Sequence, residues 1–358
     1  GGNIERYAAP NGVPYMVPLD MTQQAIYYNK TVFTKLGIAV PKTWSQWMAA
    51  MDKIQAAGYI PLSINGTGPS GSTFVWSERV MTDVFFADKF DTWNVKKTSP
   101  AYKGRNYSAP DGDPYVDILE NLDLEEIIVA FRSGELDPAK SPVYRDIAKF
   151  MKKLASYGGK GYVGLNNDGQ YEQFITQKAV MMYQGSSAAV KIARDMKDLP
   201  ADRKFEWGVF PYPSFEKSDT PYAFAPSRGA GGVGIKLAVS TSTPEKQAAA
   251  IDFLRFIMAP ENASVIMQKG DPVGPSALVG VQAGEVFNAF GEVKGTSKWF
   301  YYMGLDGEGE DAYRRALQEF LLDKLTVDEF LKAYSDAAAK AHDRQIKSQK
   351  IDLDPATP

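Results

Sequence analysis

The 358-residue sequence contains no cysteine and one histidine, His342. Without cysteine there is no disulfide, no thiolate metal site and no cysteine nucleophile. A single histidine excludes histidine-paired zinc sites and leaves one imidazole for acid–base chemistry. It lies in AAAKAHDR, late in a predicted helix, and reads as a surface position. Excess positive charge is also lacking. Forty lysines and arginines face 43 aspartates and glutamates, a formal net charge of −3, and no basic stripe points to nucleic acid. Apolar runs such as Ile127–Phe131 fall far below the ~20 residues of a membrane-spanning helix. No signal-peptide pattern is visible, and the opening Gly1-Gly2-Asn3 reads as a processed, tagged or trimmed start.

What is present suits a globular α/β protein of two domains or one large one. Hydrophobic residues make up 44% of the chain, enough to bury a sizeable core. Strand and helix signals alternate. The stretch YMVPLDMTQQAIYYNK (15–30) holds two apolar runs separated by a polar one. Thr43, with Gln46 three residues on, forms a capping box. Trp47, Met51 and Ile54 follow at helical spacing, and Trp44 and Trp47 read as packing. YIPLSIN (59–65) reads as a buried strand, GTGPSGSTFVW as a loop delivering Trp76, and 77–87 as a helix. Residues 91–117 read as loop, 123–133 and 142–157 as helices, and KAVMMYQGSSAAV (178–190) as strand, turn and helix. FEWGVFPYPSF (205–215) and GGVGIKLAVS (231–240) each read as a strand. Residues 243–270 read as a helix pair whose buried face carries Ala249, Phe253, Phe256 and Ile257. Residues 311–347 are helical, broken near Leu325-Thr326, where Thr326 and Glu329 form a second capping box.

Two motifs fail on inspection. GAGGVG (229–234) has the dinucleotide-binding spacing. That motif needs a helix after it to receive a pyrophosphate, and here IKLAVS follows, which is strand-like. Asp111, Asp113 and Asp117 in DGDPYVD hint at calcium, but the central glycine and distal glutamate of a calcium loop are missing, so a solvated acidic turn is expected. No cofactor is indicated.

The stretch from Tyr15 onward resembles a known family, the solute-binding proteins of bacterial ABC importers, in the sugar-binding class related to maltose-binding protein. The residues carrying the likeness are Tyr15, Pro18, Tyr28, Asn29, Lys30, Phe33, Gly37, Pro41, Lys42, Thr43 and Trp44. QFITQKAVMMYQGSS, WGVFPYPS and GGVGIKLAVSTSTPEKQAAAIDFLRFIMAPE follow in the family order. Gln177 replaces a usual glycine, and Ser187 stands where a ligand-stacking tryptophan is usual.

The resemblance implies two α/β lobes joined by hinge strands, the periplasmic-binding-protein-like fold, with ligand held between them. Residues 1–19 and 229–287 would belong to lobe one, and 26–222 and 288–358 to lobe two. Hinges fall near 20–25, 223–228 and 285–290. Because the first crossing comes by residue 20, the expectation is a lobe one lacking its N-terminal part, the chain being a monomer completed by that missing segment.

Residue by residue, the likeness places Asp20 and Thr22 at the polar hinge and Thr73 and Phe74 on a loop with an aromatic contact, followed by Trp76. Ser186 and Ser187 fall at a Gly-Ser-Trp turn, and Arg228 lies at the second hinge. Glu310 and Arg314 fall at a helix start, with Glu310 in place of the family's tryptophan. Trp299 and Tyr301, with Tyr302, lie in KWFYYMGLDG and would supply the sugar-stacking rings. Glu78 reads as a solvated helix charge. The implied function is to bind a mono- or oligosaccharide and deliver it to the membrane subunits of an ABC permease. It would act outside the cytoplasm, periplasmic or lipid-anchored, without catalysis. Two other readings stay open: the same fold binding a polyamine, phosphate ester or peptide, and a carbohydrate-active enzyme.

Overall fold

The computed structural model describes residues 16–66, 73–93, 124–240, 242–270, 272–278, 280–281, 284–291, 293, 305–351 and 353. A two-stranded sheet pairs β1 (Val17–Pro18) with β7 (Lys236–Leu237). A larger sheet is built on β2 (Met21–Asn29), in the order β3-β4-β2-β5, with β6 pairing the start of β2. Its other strands are β3 (Ile60–Ser63), β4 (Ala179–Gly185), β5 (Trp207–Phe210) and β6 (Gly231–Val233). β2 runs antiparallel to β4, β5 and β6, whereas β3 and β4 are parallel.

β2 is central because both of its faces are apolar. Successive side chains on a strand point to opposite faces. Ile26 and Tyr28 enter the largest hydrophobic cluster, while Ala25 and Tyr27 enter a second one on the other side. Helices cover both faces, as a sheet with two buried sides requires. The large cluster gathers α1 (Lys30–Lys35), α2 (Trp44–Ala56), α3 (Thr73–Phe85), α4 (Phe90–Trp93), α5 (Leu124–Ser133) and α6 (Pro142–Ala155). The second gathers α7 (Asn167–Ile175), α8 (Ser187–Asp198) and the turn Glu285–Phe290. A small third cluster joins Leu19 to Ala263, Met267 and Val281, alongside α9 (Pro244–Met258) and α10 (Pro260–Lys269). α11 (Gly307–Leu321) and α12 (Val327–Gln349) close over the large cluster.

Local signals set the helix starts. Both capping boxes form, Thr43 with Gln46 and Thr326 with Glu329. Asn29 caps α1 by accepting from the Val32 amide at 3.0 Å. Trp47, Met51 and Ile54 are buried together, as their spacing predicts.

Four expectations need correction. Helix α3 begins at Thr73, so Thr73 to Trp76 form its first turn rather than part of a loop. The stretch 231–240 is two short strands, Gly231–Val233 against β2 and Lys236–Leu237 against β1, with the Gly234 amide donating to the Asp20 carbonyl and the Leu19 amide to the Ile235 carbonyl between them. His342 is 2% exposed, with its ring edge-on to Phe131 at 4.9 Å. Finally, α9 buries none of its residues, and Phe253 and Phe256 are 61% and 62% exposed. Its apolar periodicity marks a face that the described residues leave uncovered. Trp299, Tyr301 and Tyr302, and the aspartate run 111–117, lie outside the described residues.

Replacing Phe253 and Phe256 together by serine is therefore expected to change unfolding free energy by no more than ~0.5 kcal/mol per site. Met51→Ala, in the sealed core, is expected to cost ~2–5 kcal/mol. Urea unfolding midpoints compare the two. A loss of core-like size in the phenylalanine double variant would show that α9 packs against the chain after all.

Candidate functional site

In an open α/β sheet, ligands bind beyond the carboxyl ends of the strands. Here β3, β4 and β5 all point toward one edge, and antiparallel β2 begins there, with Gln24 opposite Gly185. Residues just past those strand ends therefore converge. They are Asn65 and Gly66 after β3, Gln184 to Ser187 at the end of β4, and Gln23 and Gln24 at the start of β2.

A chain of amide side chains runs along this edge. Gln170 is fully buried, and its Nε2 donates to the Ser63 carbonyl at 2.8 Å and to the Thr73 hydroxyl at 3.1 Å. Its Oε1 accepts from Gln184 Nε2 at 3.1 Å. The direction of the Gln184 amide is set by the Gly185 amide, which donates to its Oε1 at 2.9 Å. Gln184 Nε2 also donates to Asn167 Oδ1 at 3.3 Å, and Asn65 Nδ2 donates to the same oxygen. With that oxygen doubly engaged, exposed Asn167 is left with its Nδ2 donors. Asn65, Asn167, Gln170 and Gln184 did not stand out in the sequence. Isolated amides carry no spacing signal, and only the strand topology assembles them.

The sequence-predicted residues fall into groups. Asp20 is buried, and its two carboxylate oxygens accept from the Ile235 amide at 2.7 Å and the Val273 amide at 2.8 Å. Ser186 is buried beside it. Its hydroxyl donates to the Val273 carbonyl at 2.5 Å and accepts from the Gln23 amide at 3.1 Å. Arg228 makes a two-pronged pair with buried Asp83, both contacts 2.8 Å, tying the segment before β6 to α3. These three residues hold backbone segments together. Thr22 pairs across from Gly232 and is half-buried, while Ser187 is exposed at the first turn of α8. Thr73 is fully buried, its hydroxyl also accepting from the Asn65 amide at 3.4 Å. Phe74, 1% exposed, packs toward Tyr162.

Trp76 is half-buried on α3, with the Arg79 guanidinium 4.5 Å from its ring centre. α11 comes alongside: Gln318 donates to the Gly66 carbonyl at 2.9 Å, and the Tyr313 hydroxyl bonds the Glu78 carboxyl. Arg314 pairs with Glu310 one turn earlier. Of the predicted residues, Thr22, Thr73, Ser186 and Ser187 lie where β2 begins and β3 and β4 end, whereas Trp76 lies on α3 and Glu310 and Arg314 pair with each other on α11.

Glu78 is not solvated as expected but 2% exposed. Burial pushes its carboxyl up to about 8, against the opposing pull of a Tyr334 hydrogen bond and the Arg79 charge. It is thus largely neutral at pH 7 beneath Trp76 and α11. Among the described residues no cluster of three or more histidines, cysteines or carboxylates could hold a metal ion, and no helix is long and apolar enough to cross a membrane.

The chain belongs to the bacterial extracellular solute-binding protein family, whose model matches residues 2–264. Over 313 residues it is 23% identical to the multiple sugar-binding protein of Streptococcus mutans, covering 87% of this chain and 63% of that relative. The chain therefore spans less than two thirds of that protein's length. Over 96 residues it is 31% identical to the sn-glycerol-3-phosphate-binding periplasmic protein UgpB of Rhizobium meliloti, covering 26% of this chain and 19% of that protein. Among solved structures, a chitin oligosaccharide binding protein superposes with a TM-score of 0.62 at 16% identity, covering 96% of this chain and 75% of that one. The fold is thus the two-lobe solute-binding fold, in a family of extracellular proteins. The relatives named are binding proteins rather than enzymes.

Glu78 makes stability pH-dependent in a defined direction. In the unfolded chain the group ionises near 4.5, and in the folded chain near 8. As pH rises through that window the unfolded state gains charge that the folded state refuses, so stability falls and the loss is complete above about 8. Glu78→Gln is expected to remove this slope. Urea unfolding at pH 5 and pH 8 should show the variant gaining on the parent at the higher pH. An unchanged difference between the two pH values would place the ionised form in the fold.

Proposed function

We propose that this chain binds a carbohydrate between two lobes and delivers it to the membrane subunits of an ABC permease, with no covalent step. In this reading lobe one is 1–19 and 229–287, and lobe two is 26–222 and 288–358. The hinges lie near 20–25, 223–228 and 285–290. The observation that carries the reading is the amide-lined edge at the start of β2, set where the chain crosses toward β6 and β7, in a chain of the solute-binding family.

A sugar presents hydroxyls that both donate and accept, around a ring with apolar faces. Planar amides match the rim, and aromatic rings match the faces. Ser187, Thr22 and Asn167 are accessible polar groups of this wall, and Trp76 is a half-buried ring on the adjoining α3. Glu310 and Arg314 would approach a ligand from α11, whose Gln318 reaches the Gly66 carbonyl. Asp20, Ser186 and Arg228 act one step back, fixing the hinge segments whose relative angle defines the cleft. Thr73 and Phe74 support the wall from within. Ligand favours the closed arrangement because only there do both lobes touch it. The protein works as a receptor, and its partner is the permease.

Small-angle scattering of the full chain with and without raffinose, stachyose, maltotriose and chitotriose tests this. At least one sugar should reduce the radius of gyration, with a matching saturable heat in calorimetry. Trp76→Ala should weaken that binding roughly tenfold, the equivalent of ~1.4 kcal/mol. Product release from any sugar, or heat without compaction, would sink the receptor reading.

A further inference from the structure

Gln24 is the feature of this edge that the packing alone does not explain. It is 6% exposed, yet its Oε1 is buried with no hydrogen-bond partner among the described residues. Neighbouring Gln23 carries a second buried Oε1 in the same state. Bare Gly185 faces Gln24 across the strand pair, and a side chain there would approach its Nε2 to 3.2 Å. The backbone amide of Gln24 is fixed by the Ala230 carbonyl at 2.7 Å, so the residue sits where the two hinge segments meet. A buried carbonyl oxygen without a donor is costly. It is expected where a ligand supplies the donor.

The surrounding charges narrow the ligand. Arg228 is engaged by Asp83, Arg314 by Glu310, and the Arg79 guanidinium lies over the Trp76 ring. The wall itself is built of amides and hydroxyls. An ionised phosphate only accepts hydrogen bonds and is bound best by guanidinium or ammonium groups. An acceptor such as Gln24 Oε1 repels it. A sugar hydroxyl can give its proton to Gln24 Oε1 and still accept a hydrogen bond through its own oxygen.

We propose that Gln24 reads a ligand hydroxyl through its Oε1, and that this wall selects an uncharged polyhydroxy ligand over a phosphorylated one. The proposal rests on the carbohydrate reading above, and it separates the two ligand types named for the curated relatives. The full chain is titrated calorimetrically with the same four neutral sugars, with sn-glycerol 3-phosphate and with glucose 6-phosphate. Gln24→Leu is measured alongside, together with the melting temperature of each form.

The expected result is that a neutral sugar binds at least a hundredfold tighter than either phosphate ester. Gln24→Leu should weaken sugar binding at least tenfold while leaving the ligand-free melting temperature equal or raised by about 1–2 °C, since a buried unpaired group is removed. A purely structural glutamine would instead lower the melting temperature and spare affinity, which overturns the proposal. Sugar binding that survives Gln24→Leu unchanged, or phosphate esters that bind as well as sugars, overturns it while leaving the receptor reading standing. Binding to no neutral sugar overturns both.

Discussion

Asp20 sits where the chain passes from one sheet to the other, and its carboxylate is shared by two other segments. One oxygen takes the amide of Ile235 and the other that of Val273, while its backbone carbonyl takes the amide of Gly234. Three stretches far apart in sequence are thus fixed at one point. Two glycines make the approach possible. A side chain on Gly234 would meet the Asp20 carboxylate, and one on Gly274 would come within 1.7 Å of the Met21 carbonyl. Ser186 then reads the position of Val273 through its carbonyl, so the first turn of α8 is registered to the same point. Polar bonds at a crossing of this kind suit a hinge. They are directional, so they set an angle, and each can be exchanged for water without exposing apolar surface.

Three buried carboxyls in this region meet three different fates, each decided by what surrounds it. Asp20 is met by backbone amides, Asp83 by the fork of Arg228, and Glu78 by tyrosine hydroxyls in an apolar setting. Burial, only partly opposed by the Tyr334 hydrogen bond and the Arg79 charge, is what raises the Glu78 carboxyl. A neutral acid there lets α3 and α11 pack tightly beneath the wall, with the Tyr313 and Tyr334 rings 4.3 Å apart and tilted by 44° alongside. Arg228 is the counterpart on the segment before β6. Its planar fork matches a carboxylate in a way lysine cannot, so the approach to β6 is held in one geometry.

How much of this was legible in the sequence depends on the range of the interaction. Caps are local, so Thr43 with Gln46 and Thr326 with Glu329 could be read directly. The Trp47, Met51 and Ile54 face could also be read, since its period is that of a helix and its partner is at hand. Phe253 and Phe256 show the limit of the same rule. Periodicity says that a face is apolar, not that something covers it. Glu78 and His342 were misread for the converse reason, because a charged or polar residue in a helical run gives no sign of what folds over it. Asp20, Ser186 and Arg228 were found through family position, but their hydrogen-bond partners are 87 to 253 residues away in the chain and follow only from the fold. Gln24 and Gln184 carried no signal until antiparallel pairing set Gln24 opposite Gly185.

In the proposed role, a receptor that releases its cargo unchanged gains nothing from groups that react, and much from groups already in place. The amide chain meets that need. Gln170 is locked by its own donors and fixes Gln184; Gln184 and Asn65 then fix which end of Asn167 faces outward. Each member's orientation is set before any ligand arrives, so less side-chain freedom is lost on binding. An amide offers a donor at one end and an acceptor at the other, and ordering the chain decides which is presented where. In a wall of charged groups the same hydroxyls could be held, but stripping water from the charges would cost more, and opening would have to overcome the tighter pairing. In the proposed receptor, neutral, pre-ordered polar groups would hold a hydroxylated ligand firmly enough to close two lobes and loosely enough to let them part.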